Sequence, residues 1–200
     1  MQKGAKLLIS NKFDQNAYRS ALGHFPTGVA IVTASTPDGH VGMTLQAFMS
    51  LSLDPALILL AVDRVSTTWP KVATSGTLAV NVLSEHQSGL AKQFARSGTD
   101  KFAGVELLER ETAGAPLIAE ALVWFDCTIV DTHPGGDHTI AVCAIDDFRA
   151  PDATDAGLDP KPLLFYRSGF PKLARPMFLD EQSVSTSGGG RSGGVVSREA

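Results

Sequence analysis

A chain of 200 residues with 44% apolar and 19% charged residues has enough material for one buried core and too little for a second independent one. Its formal net charge of −4, with scattered basic residues, lacks the footprint of a nucleic-acid binder. The longest apolar run, residues 56–62, is far below the roughly 20 residues that cross a bilayer, and Leu7-Leu8-Ile9 is too short for a signal-peptide core, so a cytoplasmic protein with no membrane association is expected.

In chain order, residues 1–13 form an N-terminal extension before a domain spanning 14–175. Residues 14–22 open with the capping residue Asp14 and place Ala17, Tyr18, Ala21 and Leu22 on one face, predicting a short helix. The β-branched stretch 29–35 is a strand, and Thr36-Pro37-Asp38-Gly39 turns it into a return strand over 40–48 that stays extended to residue 53. Asp54-Pro55 marks the next turn, before a strand over 56–62. Residues 66–75 start with Ser or Thr caps and carry Pro70 in the first turn, where a missing N–H costs nothing, so they predict a helix ending at Gly76.

A strand over 77–83 leads into a helix over 84–95, with Ser84 and Gln87 at capping-box spacing. Strands follow over 121–131, 139–149 and 163–166, the last two separated by a loop carrying Pro151, Pro160 and Pro162. Strands without regular helical crossovers argue for an antiparallel barrel with flanking helices rather than a doubly wound parallel sheet. The Gly- and Ser-rich tail, 176–200, has little to bury and is expected to be flexible.

Phosphate-loop, zinc-protease, nucleophile-elbow and dinucleotide-fold signatures are missing. Five scattered histidines supply no metal-ligand cluster, and no metal is expected. Cys127 and Cys143 lie in apolar strand-like segments, as buried thiols do. Ser66-Thr67-Thr68 suits a phosphate at a helix start, although plain N-capping explains the same residues. In Pro134-Gly135-Gly136-Asp137-His138 the first three residues make a turn, which leaves His138 as ligand, base, substrate clamp or a polar hairpin residue.

The order of segments narrows this. YRSALGHFPTGVAIVTA, GMTLQAFMSLSLDPALILLAV, STTWPKV, VNVLSEHQ, AKQFA, DKFAGV, FDCTIV, GGDHTI and PLLFYRSGF, collinear from Tyr18 to Phe170, together resemble the flavin reductase-like family. That resemblance implies a mainly β fold with flanking helices, a six-stranded antiparallel Greek-key split β-barrel that forms a homodimer and binds FMN or FAD. It implies an NAD(P)H:flavin oxidoreductase that passes hydride from NADH or NADPH to flavin, which then diffuses to a separate flavin-dependent oxygenase. The same pattern also fits a flavoprotein with tightly bound FMN that reduces a corrinoid, a metal chelate or a protein, or a non-catalytic flavin-binding module.

Carried over residue by residue, the resemblance assigns Gly42, Met43, Thr44, Gln46 and Ala47 to the isoalloxazine ring and Ala61, Val62 and Asp63 to the ribityl chain. It assigns Thr67, Thr68, Gln93 and Phe94 to the phosphate side. His138 is the catalytic-site candidate that positions the nicotinamide nucleotide, with Asp137 orienting the turn. Tyr166 and Arg167 are secondary nucleotide candidates, or equally a barrel-closing aromatic and a surface charge. Two departures stand out: Ala47 replaces a serine common at this point of the pattern, and Asp54-Pro55-Ala56 replaces a double proline.

Overall fold

Short apolar stretches punctuated by tight turns leave the chain one economical solution, a meandering antiparallel sheet with helices in its longer connections. The computed structural model describes residues 14–110, 114–150 and 161–174. The expected extension 1–13, the tail 176–200 and residues 151–160 of the proline-bearing loop lie outside the described residues.

The elements are α1 (Gln15–Leu22), β1 (Thr27–Gly28), β2 (Ala30–Thr36), β3 (Gly39–Leu45), β4 (Phe48–Leu53), β5 (Ala56–Asp63), α2 (Trp69–Ser75), β6 (Thr77–Val82), α3 (Ser88–Ala95), β7 (Val123–Gly135), β8 (His138–Arg149) and β9 (Leu164–Phe165). Seven strands form one sheet in the order β3-β2-β6-β7-β8-β5-β4, and β1 pairs with β9. Every ladder is antiparallel. The count differs from the expected six because the return strand breaks at Gln46-Ala47, where the chain leaves one sheet edge as β3 and rejoins the opposite edge as β4. No ladder joins β3 to β4 among the described residues, so the sheet is curled but open.

Curling lets one interior collect side chains from opposite ends of that order: Val32 of β2, Leu45 of β3, Leu60 of β5, Val80 of β6 and Cys143 of β8 share a core with Trp69 and Val72 of α2. The other face of β2 is also covered. Ile31 packs with Phe94 of α3, Leu83 and Leu163 in a second cluster. Burial on both faces explains why β2 reads as a continuous apolar run rather than an alternating one.

Three boundaries moved for identifiable reasons. The predicted helix over 84–95 begins only at Ser88, because the Gln87 carboxamide accepts the Ser84 N–H at 3.0 Å and donates to Ala119 O at 2.8 Å, holding 84–87 as a turn. The predicted helix over 66–75 begins at Trp69, with Thr68 at the N-cap position, because the Trp69 N–H bonds Ser66 Oγ at 3.1 Å and holds 66–68 as a turn ahead of the helix. β7 continues through Pro134 to Gly135, which pairs with His138, so the turn is Gly136-Asp137 rather than Pro134-Gly135-Gly136. Gly136 takes φ of +73°, a backbone state glycine adopts without steric cost.

α1 forms as expected, with Asp14 Oδ1 accepting the Asn16 and Ala17 amides, but its apolar face is exposed rather than buried. Cys127 and Cys143 are buried free thiols. Burial pushes the Cys143 thiol up to about 11, and burial with the nearby Cys143, Asp146 and Asp126 pushes Cys127 in the same direction.

Candidate functional site

A cleft of about 420 Å³ opens between β3, the approach to α2 and the loop around residues 98–102. Its lining includes Thr67, Thr68, Lys71 and Lys101. Lys101 is partly buried, and its Nζ donates to Gly42 O at 3.0 Å and lies 3.4 Å from Thr68 Oγ1. Burial holds its ammonium below the usual lysine range, since loss of water disfavours the charged form. An incoming anion restores that lost solvation, and two ammonium groups with two hydroxyls outweigh the single Asp100 carboxylate.

The loop that presents Lys101 is tied to α3. Gln93 Nε2 donates to Lys101 O at 2.9 Å and Ala103 O at 3.0 Å, while Asp100 Oδ1 accepts the Phe102 N–H at 3.0 Å. Phe102 meets the edge of the fully buried Phe94 ring at 5.0 Å between centroids. β3 is tied to the same helix, with Thr44 Oγ1 donating to Ala91 O at 2.6 Å. Gly42 is glycine for a packing reason: a Cβ there would sit 2.6 Å from the Phe94 ring and 3.2 Å from Val32 O.

Beside the cleft, the same end of the sheet gathers a second group. Ala61 N–H bonds Ala47 O at 3.0 Å, which sets the β3–β4 link against the end of β5. Asp63 is the register partner of His138, and Arg64 N–H bonds Asp137 O at 2.9 Å. Arg64 Nη1 adds a bond to Gly136 O at 3.2 Å. His138 Nδ1 lies 2.7 Å from Asp137 Oδ1, on side chains 40% and 90% exposed. The hydrogen bond from His138, followed by its charge, holds the Asp137 carboxyl below its ordinary range, with Arg19 of α1 adding to the effect. Ser66 Oγ, 3.8 Å from Met43 Sδ, joins this group to the cleft.

The sequence-derived candidates do not all meet at one place. Ala47, Ala61, Asp63 and His138 adjoin one another, and Gly42, Thr67 and Thr68 line the cleft. Gln46 is exposed on the link, 3.4 Å from Thr27 Oγ1. Thr44 and Gln93 direct their polar groups at α3 and at the 101–103 backbone, while Val62 and Phe94 point into the two cores. Tyr166 and Arg167 sit on a tight turn in which Arg167 N–H bonds Gly23 O at 3.1 Å, so they meet the far end of the helix whose Arg19 acts on Asp137.

Lys101 was missed, although it stands in the DKFAGV segment that supports the resemblance. Its signal was available: a lysine in a loop of small and turn-forming residues, next to an aromatic that anchors the loop. Among the described residues no cluster of three or more His, Cys, Asp or Glu could hold a metal ion, and no helix is long and apolar enough to cross a membrane.

The fold and site thus define a mainly β domain with a cleft lined by two lysines and two threonines beside an Asp-His turn. Residues 22–174 match the family model described as flavin reductase like domain, and the chain belongs to that family. It is 37% identical over 171 residues to a flavin reductase of Pseudomonas putida, covering 85% of this chain and 96% of that protein. It is 37% identical over 162 residues to the reductase subunit HsaB of a flavin-dependent monooxygenase from Mycobacterium tuberculosis, covering 81% and 84%. The structure of the Streptomyces globisporus NADH:FAD oxidoreductase SgcE6, in complex with NAD and FAD fragments, superposes with a TM-score of 0.73 at 34% identity, covering 80% of this chain and 93% of that one.

Proposed function

We propose that this protein is an NAD(P)H-dependent flavin reductase that passes hydride from NADH or NADPH to FMN or FAD and supplies reduced flavin to a partner oxygenase. The observation that carries the reading is the contiguity of two unlike binding surfaces, the Thr68–Lys101 cleft and the Ala47–Asp63–His138 group, bridged by Met43 and Ser66. The relatives' names support it, and the donor set of the cleft fits a phosphate.

When bound, flavin supplies the hydride acceptor, so the chain needs neither nucleophile nor metal. Its work is to hold two rings at reacting distance. Thr67, Thr68 and Lys101 would hold the phosphate, and the backbone of 44–47 would supply donors to the ring. His138 docks the reduced nicotinamide. With Asp137 accepting from Nδ1–H, the imidazole is oriented and Nε2 is left for the nucleotide. Ala47 contributes only a methyl group where a serine would offer a hydroxyl.

The unit that acts is residues 14–175, and it works as a cytoplasmic homodimer. The exposed Leu22, Phe25, Met49 and Leu53 support association, since such apolar surface favours burial. The six-stranded split barrel belongs to this reading, with β3 and β4 taken as two parts of one bent strand, and the antiparallel order of the seven-stranded sheet supports it. Anaerobic mixing of the protein with FMN or FAD and NADH or NADPH tests the activity. Bleaching of the flavin band is expected, and its absence in all combinations would overturn the reading.

A further inference from the structure

The turn that leaves β5 serves two sides of the site. Asp63 O accepts the Ser66 N–H at 3.0 Å and Asp63 Oδ1 accepts the Val65 N–H at 3.0 Å, so residues 63–66 are fixed as a tight turn. Beyond it Thr67 and Thr68 line the cleft, whereas Arg64 is bonded to the turn before His138. The Arg64 N–H bonds Asp137 O at 2.9 Å and its Nη1 bonds Gly136 O at 3.2 Å, so backbone and guanidinium are both held. Asp63 is the register partner of His138, which puts the Arg64 Cα within about 10 Å of the His138 Cα.

This guanidinium lacks a counter-charge. Among the described residues no carboxylate forms an ion pair with Arg64. The acids on the two paired turns are engaged elsewhere, Asp63 with the Val65 amide and Asp137 with His138. A single backbone carbonyl takes one guanidinium donor and leaves an exposed fork, which suits the oxygens of a phosphate or pyrophosphate. Arg19 of α1 adds a second positive charge that is felt at Asp137.

Resting on the flavin reading above, we propose that Arg64 sets the preference for a phosphate-bearing hydride donor, gripping the pyrophosphate of the reduced nicotinamide nucleotide while His138 docks its ring. One ribose separates the nicotinamide from the first phosphate, which matches an anchor one residue beyond the register partner of His138. Arg167, the arginine among the sequence-derived candidates, is tied through its N–H to Gly23 O at the C-terminal end of α1 instead. The arrangement also keeps two anions apart. The flavin phosphate meets Thr67, Thr68 and Lys101 on one side of the turn, and the nucleotide pyrophosphate meets Arg64 on the other.

Initial rates of the full chain with flavin saturating, read as KM for two hydride donors on the unsubstituted protein and on Arg64→Met, test the assignment. One donor is NADH or NADPH, whichever is turned over faster, and the other is N-benzyl dihydronicotinamide, which carries the same reacting ring and no phosphate. KM for the nucleotide is expected to rise about tenfold in Arg64→Met, the scale of a lost charge-assisted hydrogen bond, while KM for the benzyl donor stays within about twofold. In the unsubstituted protein KM for the nucleotide is expected to rise with salt, and that dependence to shrink in the variant. Arg64→Lys keeps the charge without the fork and is expected to fall between the two. Arg64 is exposed, and thermal melts check that both variants fold. An unchanged KM for the nucleotide overturns the proposal and leaves the flavin reading intact. An equal rise for both donors also overturns it, since Arg64 would then only shape the turn that presents His138, and so does a nucleotide-selective rise that appears in Arg167→Met in its place. Absence of flavin bleaching with either donor in the unsubstituted protein overturns the flavin reading and this proposal together.

Discussion

The Lys101 cleft and the Asp137-His138 turn lie at one end of the same sheet, yet they are built in opposite ways. In the cleft, side chains are committed before any ligand arrives: Gln93 holds the loop, Thr44 holds α3, and Lys101 already bonds Gly42 and Thr68. At the turn only the backbone is fixed, through the β5–β8 ladder and the Arg64 contacts, while both side chains stand in solvent. A pre-formed cleft lowers the ordering cost of a ligand that must be gripped. An open turn suits a co-substrate that enters and leaves on every turnover.

The largest effect is expected from breaking the rigid side at its packing point. Gly42→Ala drives a Cβ into the Phe94 ring, which is fully buried and has no room to retreat. Overpacking of this kind costs about 1–3 kcal/mol, read as a lower urea midpoint, and an unchanged midpoint would show that the cleft is less rigid than argued.

Next comes Lys101→Met, which keeps the stem and removes the charge. FMN affinity is expected to fall by about tenfold or more, the scale of a lost charged hydrogen bond, while riboflavin, which has no phosphate, binds as before. The pH dependence has a definite sign. Burial lowers the Lys101 pKa, so phosphate affinity declines as pH rises through that lowered value, and flavin binding takes up protons there. The folded state itself gains stability over the window between the lowered value and the ordinary lysine range, because the unfolded chain binds the extra proton. Both trends disappear in Lys101→Met.

The contrast also explains what could be seen in the sequence. Strands and hairpin turns were legible because local chemistry dictates them, as in Thr36-Pro37-Asp38-Gly39, where Thr36 pairs with Gly39. The break at Gln46-Ala47 was not, because nothing local marks the point at which a continuous extended segment crosses from one sheet edge to the other. His138 stood out through the GGDHTI segment. The cleft's working parts did not: Lys101 reaches Gly42 across 59 positions of sequence, and Gln93 matters through carbonyls it supports rather than through a ligand. A side chain that acts by holding another leaves little trace in spacing.

On the open side, smaller effects are expected. His138→Ala should raise KM for the reduced nucleotide about fivefold, the loss of one exposed hydrogen bond, with flavin affinity unchanged. Unchanged KM and turnover with flavin saturating would remove the residue from the site.

The smallest effect belongs to Asp137, and it discriminates best between the two designs. Its carboxyl is held below the ordinary range chiefly by the hydrogen bond from His138, so it remains ionised at neutral pH. Its contribution would be lost only as pH falls through that lowered value. With 90% of the side chain exposed, solvent screens the pair, and the carboxylate's task reduces to offering an acceptor at Nδ1. Asn offers a carbonyl oxygen in the same place. Asp137→Asn is therefore expected to change KM for the nucleotide by less than about twofold in steady-state assays, since a neutral acceptor still orients the ring. Asp137→Ala removes the acceptor and should fall between Asp137→Asn and His138→Ala. If Asp137→Ala instead matched Lys101→Met in size, the turn would be as pre-organised as the cleft, and the division into a gripping side and an exchanging side would fail.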